Sequence, residues 1–167
     1  MTPEEISLVQ QSVAQVKPIA PQACALFYQN LFAIAPELRP LFKADVNDQG
    51  RKLMDMLTLA VGLLRQPQRL SDAIMHLGTR HASYGVTEAH FQPVGEAMIA
   101  TLRQSLGADL RPEVEMAWQS MYQELITRMA ESLRVGYERR RVLELRAELA
   151  RKRMAMPWWR RMFSHSI

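Results

Sequence analysis

The chain has 167 residues, of which 48% are hydrophobic and 23% charged, with a single cysteine and a formal net charge of +4. This composition is that of a globular chain with a full core, and it excludes both a mainly disordered protein and a disulfide framework. No apolar stretch approaches the ~18 residues that span a bilayer, and the N-terminus lacks a signal-peptide pattern. We therefore expect a soluble, cytoplasmic protein.

The net charge is unevenly divided along the chain. Residues 134–167 contain ten Lys or Arg and three Asp or Glu, a net charge of +7, whereas residues 1–133 contain eleven and fourteen, a net charge of −3. A slightly acidic body offers no broad surface for phosphates, so we expect no nucleic acid partner. The sequence predicts a domain over residues 1–133 and a basic C-terminal extension over 134–167.

The pattern of the chain predicts an all-α fold. Glycines are few and sustained apolar/polar alternation is absent, while the nine prolines punctuate segments rich in helix-forming residues. Thr2 is a typical N-cap for the first helix, and Ser71 is expected to cap the fourth. Helices are expected at about residues 3–16, 19–35, 48–65, 72–83, 88–106 and 112–155, with a short helical turn at 36–42.

The sequence contains none of the common motifs of enzymes that work without a prosthetic group. There is no Gly-rich phosphate loop and no nucleophile elbow, and no pair of carboxylates stands in an evident catalytic setting. This absence favours a bound cofactor. Among the four histidines, His76 and His81 share a helix that ends at the turn of residues 84–86. By itself, each histidine is more often a structural residue than a ligand.

Three ordered segments change that interpretation. Residues 77–86 (LGTRHASYGV) resemble the proximal-histidine segment of globins, above all the neuroglobin-like and flavohaemoglobin-like branches. Residues 26–42 resemble the family's helix B, its C turn and the phenylalanine that follows, and residues 91–96 resemble the start of helix G. The resemblance covers residues 5 to about 132. It implies the globin fold, with helices A, B, C, E, F, G and H and an extended basic C-terminal helix, and it implies haem b as cofactor.

The resemblance also implies roles for individual residues. His81 matches the proximal ligand of the haem iron, and Phe42 matches the phenylalanine that wedges against the haem. Tyr28 and Gln49 match the distal residues that face the bound gas. Further haem contacts are implied at Lys52, Leu53, Leu77, Val86, Phe91 and Val94, with Lys52 near a propionate. Without the resemblance, Tyr28 would be an ordinary core tyrosine and Gln49 an exposed residue.

The Tyr28/Gln49 pair is similar to that of flavohaemoglobins and related bacterial globins. Two polar donors in an apolar pocket would stabilise the negative charge of bound oxygen and favour it over carbon monoxide. The resemblance therefore implies tight oxygen binding and nitric oxide detoxification, with an external reductase as electron donor. The alternatives are a gas carrier or a haem-based sensor that signals through the C-terminal extension, and a haem-free helical interaction protein.

The sequence departs from flavohaemoglobins on the proximal side and at its C-terminus. Phe91 stands where that family has a tyrosine, and Leu133 where it has a glutamate, although Glu131 is close. Because these two groups polarise the proximal histidine, peroxidase-like chemistry is not expected. The chain also shows no G-x-G-x-x-G pattern for a nucleotide-binding domain.

The C-terminal extension combines apolar and basic residues. Val142, Leu145 and Leu149 form an apolar stripe on a basic helix, and the segment of residues 157–163 (PWWRRMF) interleaves aromatic and basic side chains. This pattern is typical of an interfacial anchor, which would place the protein at the inner membrane surface. Alternatively, the stripe packs against the body, against a partner protein or in a homodimer.

Overall fold

A computed structural model describes residues 1–42 and 45–155, without the side chains of residues 46 and 47. The described residues form six α-helices and no β-strand, which confirms the all-α prediction. The helices are α1 (Pro3–Val16), α2 (Ala20–Ile34), α3 (Val46–Gly62), α4 (Pro67–Ser83), α5 (Phe91–Leu106) and α6 (Pro112–Ala155). Short 3-10 segments connect them at Lys17–Ile19, Pro36–Leu41, Glu88–His90 and Gly107–Asp109. Within this described part, no helix is long and apolar enough to cross a membrane.

Helix starts follow the local sequence at α1 but not at α4. The Thr2 hydroxyl accepts a hydrogen bond from the Glu5 N–H, and the Glu5 carboxylate accepts one from the Thr2 N–H, so the predicted cap is confirmed. The predicted Ser71 cap is wrong, because α4 begins one turn earlier at Pro67. A proline at the first helical position costs no hydrogen bond. The Ser71 hydroxyl instead accepts a hydrogen bond from Arg128 on α6.

The main core surrounds Trp118 of α6, whose side chain is fully buried. Its indole N–H donates to the Ser12 hydroxyl at 2.8 Å, and that hydroxyl donates to the Val9 carbonyl. The buried polar groups of this contact are therefore satisfied, as a tightly packed interior requires. Around them lie apolar side chains of α1, α3, α4, α5 and α6.

Helix α4 packs closely along α6 because small residues stand where the two helices touch. A Cβ placed on Gly78 would lie 2.3 Å from the Ser132 hydroxyl, and one on Gly136 would lie 2.7 Å from the Ala82 Cβ. The Ser132 hydroxyl also donates to the Met75 carbonyl at 2.7 Å. Gly136 therefore does not break α6. It allows the backbones of α4 and α6 to approach each other.

Helix α3 is held on the other side of the molecule, chiefly by α2 and α1. At the crossing with α2, a Cβ placed on Gly50 would lie 2.8 Å from the Cys24 Cβ. The buried Cys24 thiol donates to the Gly50 carbonyl at 3.1 Å. Among the described residues, α3 and α4 make no extensive contact beyond their connection at 63–66. A cleft therefore separates α3, on α2, from α4, on α6.

Candidate haem pocket

The inner end of this cleft is an apolar cavity of about 50 Å³. Its lining is provided by three helices: Met56, Leu59 and Ala60 of α3, Leu70, Ala73, Ile74 and Leu77 of α4, and Leu125 and Met129 of α6. The cavity lies next to the α3–α4 connection. Its volume is far smaller than that of a haem.

The helical register places Gln49 and His81 toward the opposite ends of α3 and α4. Positions 49, 53, 56 and 60 follow the i, i+4, i+7, i+11 spacing of a single helix face on α3, and positions 70, 74, 77 and 81 repeat it on α4. Residues 56, 60, 70, 74 and 77 line the cavity. The two faces that enclose the cavity therefore continue to Gln49 on one helix and His81 on the other.

His81 has the hydrogen bonding and protonation expected of a metal-binding imidazole. Its ring is half-buried, and Nδ1 lies 2.9 Å from the Leu77 carbonyl oxygen. Burial lowers the pKa of His81, Arg80 lowers it further, and the hydrogen bond to Leu77 opposes both effects. A neutral ring whose Nδ1–H donates to a carbonyl keeps its lone pair on Nε2, which is the form that binds iron.

The turn that follows His81 is fixed to α6. The N–H groups of Tyr84 and Val86 donate to the His81 carbonyl at 3.0 and 3.1 Å, and Gly85 adopts the left-handed conformation with φ of 83°. The Val86 carbonyl accepts a hydrogen bond from the Tyr137 hydroxyl at 2.7 Å. The segment after the proposed ligand is thus hydrogen-bonded to the start of the C-terminal extension.

Tyr28 lies in an aromatic cluster on the α2 side of the cleft. Its side chain is 5% exposed, and its ring centroid lies 5.3 to 5.9 Å from those of Phe27, Phe32 and Phe42. Burial, with a smaller contribution from Cys24, raises the pKa of Tyr28 to about 12. The phenol therefore stays protonated and can donate. Its hydroxyl makes no hydrogen bond within the described part of the chain.

The other predicted contacts lie in different parts of the site. Phe42, Leu53 and Val94 pack in the same apolar cluster as Tyr28. Leu77 and Val86 adjoin His81 through their backbone hydrogen bonds. Gln49 is half-buried in the first turn of α3, where its N–H donates to the Asp45 carbonyl at 3.0 Å. Lys52 is exposed, as a residue near a haem propionate at the protein surface would be.

Phe91 is placed differently from the rest. It begins α5 and lines an open groove between α5 and α6, together with Tyr122 and Glu131. The Tyr122 hydroxyl donates to the Phe91 carbonyl. Leu133 is buried and Glu131 is exposed. The contact of Phe91 with a haem stays a prediction.

Sequence analysis did not identify the Tyr137–Val86 bond or the Cys24–Gly50 crossing. The Tyr137–Val86 contact spans 51 positions, and no periodic pattern links the two residues. The Cys24–Gly50 contact spans 26 positions and joins two small residues whose types carry no chemical motif. Both contacts depend on how helices cross, which hydrophobic periodicity does not encode.

The helix order and the apolar cleft define an all-α protein with His81 on one wall of a cleft between two helices. The globin family model matches residues 25–129. This match covers more than half of the chain. The chain therefore belongs to the globin family, and it is a globin-family haem protein.

Curated relatives include flavohemoproteins and a plant globin. The chain is 25% identical to the flavohemoprotein of Vibrio cholerae over 125 residues, which cover 73% of this chain and 32% of that protein. It is 26% identical to the flavohemoprotein of Deinococcus radiodurans over 128 residues. It spans about a third of the length of both. A leghemoglobin of Psophocarpus tetragonolobus is 29% identical over 133 residues, covering 74% of this chain and 92% of that protein.

Solved structures support the same fold. An engineered carbene transferase from Rhodothermus marinus, derived from a protein assigned as a nitric oxide dioxygenase, matches with a TM-score of 0.75 and 25% identity. The match covers 83% of this chain and 96% of that one. A bacterial globin of Campylobacter jejuni matches with a TM-score of 0.74 and 18% identity, over 82% of this chain and 99% of that one. The predicted globin fold is confirmed.

Proposed function

We propose that this globin binds oxygen through haem b in the cleft between α3 and α4, and that it converts nitric oxide to nitrate with electrons from an external reductase. The observation that carries the proposal is the Tyr28 side chain, which is 5% exposed, stays protonated and makes no hydrogen bond among the described residues, while its hydroxyl oxygen is not fully enclosed. His81 would hold the haem, and the haem would supply an iron that can bind a diatomic gas. Oxygen, nitric oxide and carbon monoxide are the ligands of this size.

On the proximal side, the protein holds a neutral imidazole in a fixed orientation. The bond from Nδ1 to the Leu77 carbonyl sets the ring angle, and close packing of Gly78 against Ser132 fixes the helix that carries it. His81 therefore presents Nε2 without a proton. On both sides of the cleft, we assign apolar contacts with the haem to Leu77, Val86, Phe91, Phe42, Leu53 and Val94, and a contact with a propionate at the surface to Lys52.

On the distal side, the protein provides two donors in apolar surroundings. The Tyr28 hydroxyl and the Gln49 amide can donate to a gas molecule that acquires negative charge. Oxygen acquires more of this charge than carbon monoxide, so these donors favour oxygen. The side chains packed around Tyr28 are apolar, and such surroundings strengthen each hydrogen bond by lowering the local dielectric constant.

The proposed reaction combines nitric oxide, dioxygen and one electron to give nitrate. The balance is NO + O₂ + e⁻ → NO₃⁻, so one electron is needed per turnover. We assign the supply of this electron to an external reductase. Support comes from two flavohemoprotein relatives and from a structural relative assigned as a nitric oxide dioxygenase.

Absorption spectra and rapid mixing test this proposal. The purified protein, loaded with haem, is expected to show a Soret band that shifts after dithionite and again after carbon monoxide. Mixing the reduced protein with nitric oxide in air-saturated buffer should then yield one nitrate per haem, and cell extract should restore the reduced spectrum. A colourless protein after haem addition would contradict the haem assignment. A protein that binds gas but yields no nitrate would contradict the enzyme alone.

A second candidate function is a gas sensor that signals through the C-terminal extension. It is favoured by the hydrogen bond from Tyr137 to the Val86 carbonyl, which connects the turn after His81 to α6. Limited proteolysis of residues 137–155 in the reduced protein, with and without carbon monoxide, tests it. A carbon monoxide-dependent cleavage rate that Tyr137→Phe abolishes would support the sensor. Equal rates would favour the enzyme or a simple carrier.

A further inference from the structure

The extension helix, defined as residues 137–155 of α6, has an unusual surface. Every one of its residues is exposed. Six of the eleven exposed large hydrophobic side chains recorded for the described residues lie on it, namely Tyr137, Val142, Leu143, Leu145, Leu149 and Met154. Such a concentration on about 28 Å of helix is typical of a surface that another molecule covers.

Apolar and basic side chains are arranged side by side along this helix. Val142, Leu145 and Leu149 follow the i, i+3, i+7 spacing and form one stripe. Arg139, Arg146 and Arg153 repeat every seven residues and border that stripe, with Leu143 and Met154 beyond them. The covering molecule must therefore accept apolar side chains and a row of positive charge together.

The helix has three acidic residues: Glu138, four residues before Val142 on the face of the stripe, forms no ion pair among the described residues, and the other two pair with residues outside the arginine row. Glu144 pairs with Arg140 at 2.9 Å, and Glu148 pairs with Lys152 at 2.7 Å. Within the described residues, Arg139, Arg146 and Arg153 form no ion pair. The net positive charge is consequently concentrated beside the apolar stripe, where an anionic partner would gain most from it.

A second copy of this helix is a poor partner for the same surface. In a parallel pair, each arginine of the row would face its own counterpart. In an antiparallel pair centred on Arg146, that residue would face its own counterpart and Arg139 would face Arg153. Both arrangements bring like charges together, which destabilises helical pairs.

The sequence that follows favours a lipid surface. Residues 156–167 lie outside the described part of the chain, and they include two tryptophans and a phenylalanine interleaved with two arginines. Tryptophan is enriched at the level of lipid headgroups, while arginine side chains reach phosphates from an apolar stem. This composition continues the pattern of the extension helix.

We propose that the extension helix forms a docking surface for a bilayer that contains anionic phospholipid. The extension helix lies along the membrane with Val142, Leu145 and Leu149 at the headgroup boundary, and the arginine row contacts lipid phosphates. This inference is independent of the proposed haem chemistry, because no residue of the extension helix lines the cavity between α3, α4 and α6.

Vesicle flotation with the full-length protein tests the proposal. Vesicles of equal parts phosphatidylglycerol and phosphatidylcholine should carry the protein upward at low salt, and pure phosphatidylcholine should not. Arg139→Gln with Arg146→Gln should weaken the partition coefficient about thirtyfold. The matched control, Arg140→Gln with Arg151→Gln, removes the same charge from the opposite face and should weaken it about threefold or less.

The apolar stripe is tested separately. Leu145→Ser with Leu149→Ser should abolish flotation, whereas Met116→Ser, at an exposed position on the body, should leave it unchanged. Equal binding to both vesicle types, or equal losses in the two arginine pairs, would overturn the proposal. So would sedimentation velocity showing a dimer that the leucine substitutions dissociate. In each case the Soret band reports the haem site separately, so the proposed function is judged on its own.

Discussion

The two walls of the cleft are built differently. The proximal wall is α4 pressed onto α6, where Gly78 and Gly136 allow contact over a long interface. The distal wall is α3, which crosses α2 at the Cys24–Gly50 contact and rests on α1. One wall is a tight helix pair along its length, while the other is fixed mainly at a crossing.

Under the proposed function, this difference matches what each wall has to do. A metal ligand must stay at one distance and angle, so α4 needs support along its length. The distal wall must admit a gas molecule and then donate hydrogen bonds to it, so its polar groups stand among apolar side chains. Close packing serves the anchor, and polar donors serve the ligand.

The largest expected effect is on haem retention. His81→Ala removes the proximal nitrogen and should weaken haem binding more than about a hundredfold. Titration of the apoprotein with haem, followed at the Soret band, measures this change. His76→Ala alters an exposed histidine on the same helix and should bind haem as the wild type does. Equal affinities for the two variants would show that the iron is held elsewhere.

The second effect concerns the tight contact of the proximal wall. Gly78→Ala places a Cβ against Ser132 and should lower the free energy of unfolding by about 1–3 kcal/mol. Gly62→Ala is the control, because nothing lies within 4 Å of a Cβ at that helical position. It should be neutral or stabilising by up to about 1 kcal/mol. Urea unfolding of both variants would contradict the close packing if their midpoints fell together.

A smaller effect is expected on the distal wall. Tyr28→Phe removes one hydrogen bond to bound oxygen and should speed oxygen dissociation about tenfold or more. Carbon monoxide dissociation should change much less, since that ligand carries less charge. Stopped-flow displacement of each bound gas measures its dissociation rate. Tyr84→Phe, at a position where the side chain is 57% exposed, is the matched control. An unchanged oxygen dissociation rate in Tyr28→Phe would remove Tyr28 from the distal pocket.

The smallest expected effect is that of pH, because the rate of oxygen dissociation should not change with it. Because burial raises the pKa of Tyr28 to about 12, the folded protein keeps its phenol protonated where an exposed tyrosine ionises. Oxygen dissociation should therefore stay constant from neutral pH to about pH 10. Above pH 10 the unfolded chain loses this proton before the folded chain does, so the contribution of Tyr28 to stability falls as pH rises. A phenolate absorbance titration, with Tyr28→Phe subtracted, should show a midpoint near 12.

Much of the fold follows from local sequence, whereas the site depends on helix crossings. Prolines and the Thr2 cap define helix boundaries to within a few residues, because they act on neighbouring backbone groups. The prediction of Ser71 as a cap is wrong because Pro67, four residues earlier, already begins the helix. The resemblance to globins indicated Tyr28, Gln49 and His81, but the contacts that set how their helices cross, Cys24–Gly50 and Tyr137–Val86, join residues far apart in the chain.

The contact between Cys24 and Gly50 has a consequence for sequence variation. The two residues share one small space, so the size allowed at one position depends on the size present at the other. Among related chains, we expect an alanine or larger residue at position 50 only where position 24 is glycine. Position 50 adjoins Gln49, and Tyr28 lies one helical turn beyond Cys24. A mismatched pair would therefore spread the distal donors apart without altering either of them.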